Sequence, residues 1–175
     1  QAKERYSLKN AKIVANLPYY ITTPIIMKLL ESKIDITSIT VMIQKEVADR
    51  LAEIPGGKNT GAITYTVYYY GETEKLLEVP KSSFIPEPSV TSEVIKINIR
   101  KEPPVKVQNE ERFFKLIKVA FLQRRKTLLN SLTNNGISNK EELIKILNKL
   151  NIDEKIRSEK LTIEQFAELS NNLDV

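Results

Sequence analysis

The 175 residues are 41% hydrophobic and 28% charged, enough to bury a core in one or two small domains. The chain has no cysteine and no histidine, which excludes disulfides and thiolate chemistry and removes the usual general base and commonest metal ligand, so zinc or Ser-His-Asp catalysis is not expected. No apolar run reaches the roughly 18 residues of a membrane span, the start Gln1-Ala2-Lys3-Glu4-Arg5 lacks the apolar stretch of a signal peptide, and the net charge of +5 permits a polyanionic partner; a cytoplasmic, non-membrane protein without a metal is expected.

In chain order, Lys12-Ile13-Val14-Ala15 and Ile39-Thr40-Val41-Met42-Ile43 are short β-branched runs of the kind that form buried strands. Between them the sequence predicts a helix with Thr23 as N-cap, Pro24 at the first helical position and an apolar stripe of Ile25, Ile26, Leu29 and Leu30. A second helix is predicted from Lys45 to Ala52, ending before the turn signal Pro55-Gly56-Gly57. Strand, helix, strand, helix reads as a parallel α/β sheet. Ala62 to Tyr70 is rich in β-branched and aromatic residues and locally favours a strand, while Leu76–Val79 and Val94–Ile99 flank a proline-rich loop as a further pair of strands. Beyond Pro103-Pro104 the pattern turns helical, giving a boundary near Arg100: Phe113, Leu116, Ile117, Ala120 and Phe121 share one helix face. Ser138 with Glu141, and Thr162 with Gln165, match capping boxes.

Charge is unevenly spread. From Arg112 to Lys126 there are six basic residues (Arg112, Lys115, Lys118, Arg124, Arg125, Lys126) and no acidic one, so a positive surface is expected, either a solvated helix face or a contact for nucleic acid.

Asn16-Leu17-Pro18-Tyr19 follows the first predicted strand directly, and in open α/β sheets ligands gather at the carboxyl ends of strands. Methylating an exocyclic amine requires its nitrogen lone pair to be turned out of ring conjugation, which acceptors on the two amine hydrogens favour without any strong base. The Asn16 side-chain oxygen and the Leu17 carbonyl suit that task, Pro18 stiffens the turn and Tyr19 offers a stacking face. An ordinary strand-exit turn uses the same residue types. Phe84-Ile85-Pro86-Glu87-Pro88-Ser89-Val90 offers a second aromatic on a stiff loop, so that a flipped base would fit between Tyr19 and Phe84; a core position for Phe84 is the alternative.

Four segments occur in order: Asn16-Leu17-Pro18-Tyr19-Tyr20-Ile21-Thr22-Thr23-Pro24, Gln44-Lys45-Glu46-Val47-Ala48-Asp49-Arg50-Leu51, Phe84 to Val90, and Gln123-Arg124-Arg125-Lys126-Thr127-Leu128-Leu129-Asn130-Ser131-Leu132. Together they resemble the ribosomal RNA adenine dimethyltransferases of the kasugamycin-sensitivity type across essentially the whole chain. The erythromycin-resistance type of large-subunit rRNA adenine methyltransferase is similar around the first and third segments, and Gln-Arg-Arg-Lys-Thr favours the small-subunit type.

The resemblance implies a Rossmann-like class I methyltransferase domain over 1–100, in its second half only, and a small all-α domain over 101–175. It implies S-adenosylmethionine as donor, and dimethylation of two adjacent adenosines near the 3′ end of small-subunit rRNA, in an immature subunit, during ribosome biogenesis. Asn16 would then touch both the target amine and the donor site. Tyr19 and Phe84 would sandwich the adenine, and Gln123, Arg124, Arg125 and Lys126 would face rRNA. The family fold also makes Ala62–Tyr70 helical. No glycine-rich strand-to-helix loop corresponds to the family's donor-binding segment: Gly56, Gly57 and Gly61 follow a helix. The donor site is therefore expected to be incomplete and this chain inactive alone, its strand over 12–15 exposed at a sheet edge, with strand-mediated pairing or self-association, a separate N-terminal fragment, or local disorder near residues 1–15 expected. A donor-independent RNA-binding or ribosome-assembly module is the alternative function.

Overall fold

The computed structural model describes residues 9–32 and 34–173. The described residues fall into two compact units, one within 9–52 and 66–102 and the other within 53–65 and 103–173.

The first unit is a four-stranded sheet in the order β1-β2-β4-β3, with β1 Ala11–Asn16, β2 Ile36–Gln44, β3 Gly71–Val79 and β4 Ser92–Ile99. β1 and β2 are parallel, joined through helix α1 (Thr22–Glu31), as the strand-helix-strand pattern requires. The final pair of strands joins the sheet differently. β4 runs antiparallel to both β2 and β3, because β3 and β4 form a hairpin across the proline-rich loop, and the hairpin inserts by its more apolar strand. Ile95 and Ile97 of β4 are fully buried, whereas Leu76 and Leu77 of β3 are exposed, which suits β3 to the outer position. At the other end of the order β1 pairs only with β2 among the described residues, and Val14 is 79% exposed. β1 itself is ordered into a strand; of the disorder anticipated near residues 1–15, the part over residues 1–8 lies outside the described residues.

α1 does not begin with a Thr23 cap. A 3-10 turn over Tyr19–Ile21 leads straight into the helix at Thr22, whose hydroxyl donates to the Pro18 carbonyl at 3.1 Å, and Ile21 occupies the cap position without a side-chain bond. Pro24 still falls in the first turn, where a missing N–H costs nothing. α2 (Lys45–Leu51) follows β2 and buries Ala48 and Leu51.

Ala62–Tyr70 forms helix α3, against the local strand propensity and in line with the family fold. Thr64, Tyr65, Thr66, Val67 and Tyr69 are all buried, so burial runs around the helix and no alternation of faces remains to reward a strand. Thr64 Oγ1 accepts the Gly61 N–H at 3.0 Å at its start. At its other end Gly71 passes directly into β3, and a Cβ there would lie 2.6 Å from Ile97 Cγ2 and 2.9 Å from the Asn98 carbonyl oxygen.

The second unit packs α4 (Glu110–Ala120), α5 (Leu128–Asn134), α6 (Lys140–Lys149) and α7 (Ile163–Asn172) around Phe113, Leu116, Ile117, Leu132, Leu143, Leu147 and Phe166. Tyr65 enters this core, 4.8 Å from the Phe166 ring and 5.7 Å from that of Phe121. Its hydroxyl donates to the carbonyls of Leu161 at 2.7 Å and Ser158 at 3.1 Å, and burial pushes it well above the ordinary phenol range, with Glu159 adding to the effect. The Thr162–Gln165 capping box is present in both directions. That of Ser138 and Glu141 is not: Asn139 caps α6 by accepting the Glu142 N–H at 2.9 Å, and Ser138 bonds the Glu142 carboxylate instead. Asparagine and serine cap about equally well, and the use of Asn139 moves the helix start one residue on.

Replacing Gly71 with alanine pushes a methyl group into Ile97 and the Asn98 backbone. Gly71→Ala is expected to cost about 2 kcal/mol, as overpacking does, and to lower the thermal midpoint followed by circular dichroism by about 5 °C; an unchanged midpoint would contradict this packing.

Candidate functional site

Asn16 ends β1 at the register position opposite Met42, and the Leu17 N–H continues toward the Met42 carbonyl at 3.4 Å. The pairing therefore carries the tetrapeptide to the carboxyl end of the parallel strands. Leu17 is buried and anchors the exit, while Asn16 is exposed. Pro18 is extended at φ −58° and ψ 134°, which turns the chain into the 3-10 turn that carries Tyr19.

A cleft of about 310 Å³ opens here, lined by Asn16, Leu17, Pro18, Tyr19, Met42 and Phe84. All five residues singled out from the sequence at this site thus meet in one place, although Phe84 is 68 residues from Asn16 (84 minus 16). Phe84 is half-buried and closes a 3-10 turn over Lys81–Ser83, its N–H donating to the Lys81 carbonyl at 3.2 Å; the Ile85–Pro86 bond that follows is cis. The Tyr19 hydroxyl lies 2.6 Å from Ser92 Oγ at the start of β4.

Two participants were missed by sequence reasoning. Met42 sits in an ordinary strand run and is identified only by its register with Asn16. Ser92 lies beyond the proline-rich segment and carries no signal of its own, except that it is a buried polar residue in an apolar strand.

The Gln44–Leu51 segment lies elsewhere. Gln44, Lys45, Glu46 and Asp49 line a separate groove of about 360 Å³ with Val90 and Thr91. Lys45 pairs with Glu78, and Lys75 pairs with Asp49 and stands 3.7 Å from the buried Glu93 carboxylate. Both lysines are held above their ordinary range, Lys45 chiefly by its bond to Glu78 and Lys75 by its bond to Asp49. Among the described residues no cluster of three or more carboxylate side chains is arranged to hold a metal ion, and no helix is long and apolar enough to cross a membrane.

In the second unit, residues 121–126 form the turn between α4 and α5. Its entry is fixed by hydroxyls: Ser131 donates to the Val119 and Ala120 carbonyls at 3.1 Å each, and Ser158 to the Ala120 carbonyl at 2.8 Å. These are the carbonyls that the end of α4 leaves without helical partners. The Lys126 N–H closes the turn on the Gln123 carbonyl at 2.8 Å, and Asn134 Nδ2 donates to Gln123 Oε1 at 3.2 Å. Gln123, Arg124, Arg125 and Lys126, with Leu122 and Asn134, line a depression of about 450 Å³. Arg124, Arg125 and Lys126 are exposed, and none pairs with a carboxylate among the described residues. Arg112 leaves the expected patch, because its guanidinium turns inward to donate to the Leu173 carbonyl at 2.8 Å.

A family model described as ribosomal RNA adenine dimethylase matches residues 3–174. The ribosomal RNA small subunit methyltransferase A of Clostridioides difficile (strain 630) is 53% identical over 169 residues, which is 97% of this chain and 58% of that protein. Among solved structures, a dimethyladenosine transferase from Plasmodium falciparum aligns with a TM-score of 0.73 at 27% identity, covering 90% of this chain and 64% of the other. The 23S rRNA methyltransferase ErmE aligns with a TM-score of 0.67 at 22% identity, covering 95% and 66%, a likeness of fold alone. The chain spans about 60% of the length of the curated relatives it matches. A match over nearly every residue, with the cleft and the basic turn carried by the segments that first suggested it, leaves one assignment: the chain belongs to the ribosomal RNA adenine dimethylase family, with the fold of the C-terminal portion of a class I methyltransferase.

Proposed function

We propose that this chain supplies the base-binding and RNA-facing parts of an rRNA adenine N6,N6-dimethyltransferase that modifies two adjacent adenosines near the 3′ end of small-subunit rRNA, in the cytoplasm, on an immature subunit. The observation that carries the reading is the convergence of Asn16, Tyr19 and Phe84 on one cleft at the carboxyl end of β1. Residues 1–100 would form the second half of the methyltransferase domain, and 101–175 the helical domain.

In this reading a flipped adenine lies between the Tyr19 and Phe84 rings. The Asn16 side-chain oxygen and the Leu17 carbonyl accept the two N6 hydrogens, so the nitrogen lone pair is no longer delocalised into the ring and points out of its plane. The proton released as the new N–C bond forms can pass to water, and the cleft's lack of a strong base is no obstacle. S-adenosylmethionine, when bound, supplies the electrophilic methyl group. In this reading the chain holds only part of the donor site: Gly56 and Gly57 sit in the turn after α2, Gly61 precedes α3, Gly71 opens β3 and Gly136 follows α5, so none forms a glycine-rich strand-to-helix loop. Asn16 would be its one contact from this chain. The remaining contacts are assigned to the portion of the relatives beyond the matched segment, and the outer edge of β1, Lys12–Ala15, is where an added strand, or a second copy, would pair.

The exposed, carboxylate-free turn Gln123–Lys126 favours rRNA phosphates as its partner. It also supports the second reading, a donor-independent RNA-binding module of ribosome assembly, for which the turn alone would suffice.

Two measurements test these assignments. In a polypeptide that joins this chain to the N-terminal segment of its relatives, Asn16→Ala should lower kcat for methyl transfer to immature small subunits about 100-fold, as loss of a positioned polar group does, with the KM for RNA nearly unchanged; full activity would contradict the role of Asn16, and an inactive parent would favour the module. For the turn, Arg124→Ala with Arg125→Ala should reduce the slope of log K against log salt by about 2, one for each lost phosphate contact; an unchanged slope would remove these arginines from the RNA interface.

A further inference from the structure

The clamp proposed above asks for two aromatic rings, and phenylalanine stacks as well as tyrosine. The Tyr19 hydroxyl is therefore unexplained by stacking. Ser92 presents the converse puzzle. It opens β4 between Gln44 of β2 and Val79 of β3 and is 0% exposed. A hydroxyl buried so completely is costly unless it finds a partner. Among the described residues its side chain bonds one group, the Tyr19 hydroxyl, at 2.6 Å. Each hydroxyl accounts for the other.

We infer that Ser92 is a positioning residue for the proposed methyl transfer: it holds the far end of the Tyr19 ring, so that the ring's stacking face is set before a base arrives. The inference rests on the base-binding reading of the cleft. Tyr19 is thereby fixed at two points, through its backbone in the 3-10 turn after Pro18 and through its hydroxyl on β4. The bond also joins the two segments that form the clamp, because β4 begins directly after the loop that carries Phe84, while Tyr19 follows β1. Seventy-three residues separate the bonded pair in sequence. A ring already held gives up little torsional freedom on stacking and does not tilt the amine away from Asn16. Ser92 touches neither base nor donor in this arrangement and acts through Tyr19.

The test is a double-mutant cycle, run in the polypeptide extended with the N-terminal segment of the relatives, together with side-chain relaxation on the chain itself. Ser92→Ala and Tyr19→Phe are each expected to lower kcat about tenfold, the scale of one lost hydrogen bond, with the KM for RNA nearly unchanged. The double variant is expected to be no worse than either single one, and Ser92→Thr, which keeps the hydroxyl, should recover most of the rate. In ring-¹³C relaxation of the tyrosine-labelled chain, Ser92→Ala should increase the motion of Tyr19 and leave that of Tyr65 as it was. Additive losses in the double variant, or an unchanged Tyr19 signal in Ser92→Ala, would overturn the inference. An extended protein that transfers no methyl group would overturn the functional reading instead, and the relaxation result would then decide for or against the Ser92 tether by itself.

Discussion

Parallel pairing of β1 with β2 is the constraint from which the cleft follows. It sets Asn16 opposite Met42, so the chain must leave the sheet at the strands' carboxyl ends with Leu17 buried and Asn16 exposed. Pro18 limits where the chain turns next, and the short 3-10 segment commits Tyr19 to the cleft wall. The antiparallel hairpin completes the site from the other side. Because β4 rather than β3 lies against β2, the loop that closes the hairpin ends beside β2, bringing Phe84 and Ser92 to residues far earlier in the chain. A sheet in the order β1-β2-β3-β4 would not do this.

In the proposed reading the cleft works by positioning rather than by acid-base catalysis, which its lining of Asn16, Leu17, Pro18, Tyr19, Met42 and Phe84 suits. Without histidine or cysteine, what remains is an amide, backbone carbonyls and aromatic faces, and an amine that must be turned toward an electrophile needs little else. In the same proposal, affinity for RNA falls to a different part of the chain. The basic turn is held by hydroxyls that satisfy the end carbonyls of α4, which leaves its own cations exposed. Its rigidity and its charge thus come from separate residues.

Features set by local chemistry were legible in the sequence. The β-branched runs gave β1 and β2, the strand exit gave Asn16 to Tyr19, and Thr162 with Gln165 gave a capping box. Features set by competition or by partners distant in sequence were not. Ser138 and Asn139 suit a cap about equally, and the helix uses Asn139. Thr23 lost the start of α1 to a 3-10 turn seeded by the preceding proline. The charged first half of β3, Glu72 to Lys75, shows no apolar alternation, and its ladder to β4 makes it a strand. Arg112 belonged to a basic run in sequence but caps a carbonyl in the structure. α3 required the family resemblance, since Thr64 to Val67 favour a strand until burial on all sides is taken into account. Met42 and Ser92 are defined by strand register, which no local pattern reveals.

The central claim is that half of a methyl-transfer site, the half that holds the base, is already present in this chain. The direct measurement is a nuclear magnetic resonance titration of the chain with a short single-stranded RNA containing two adjacent adenosines, compared with the same RNA carrying uridines there. The account predicts adenosine-dependent shifts at Asn16, Tyr19, Met42 and Phe84, with shifts at Arg124 to Lys126 common to both RNAs. Shifts confined to the basic turn, identical for the two RNAs, would contradict it.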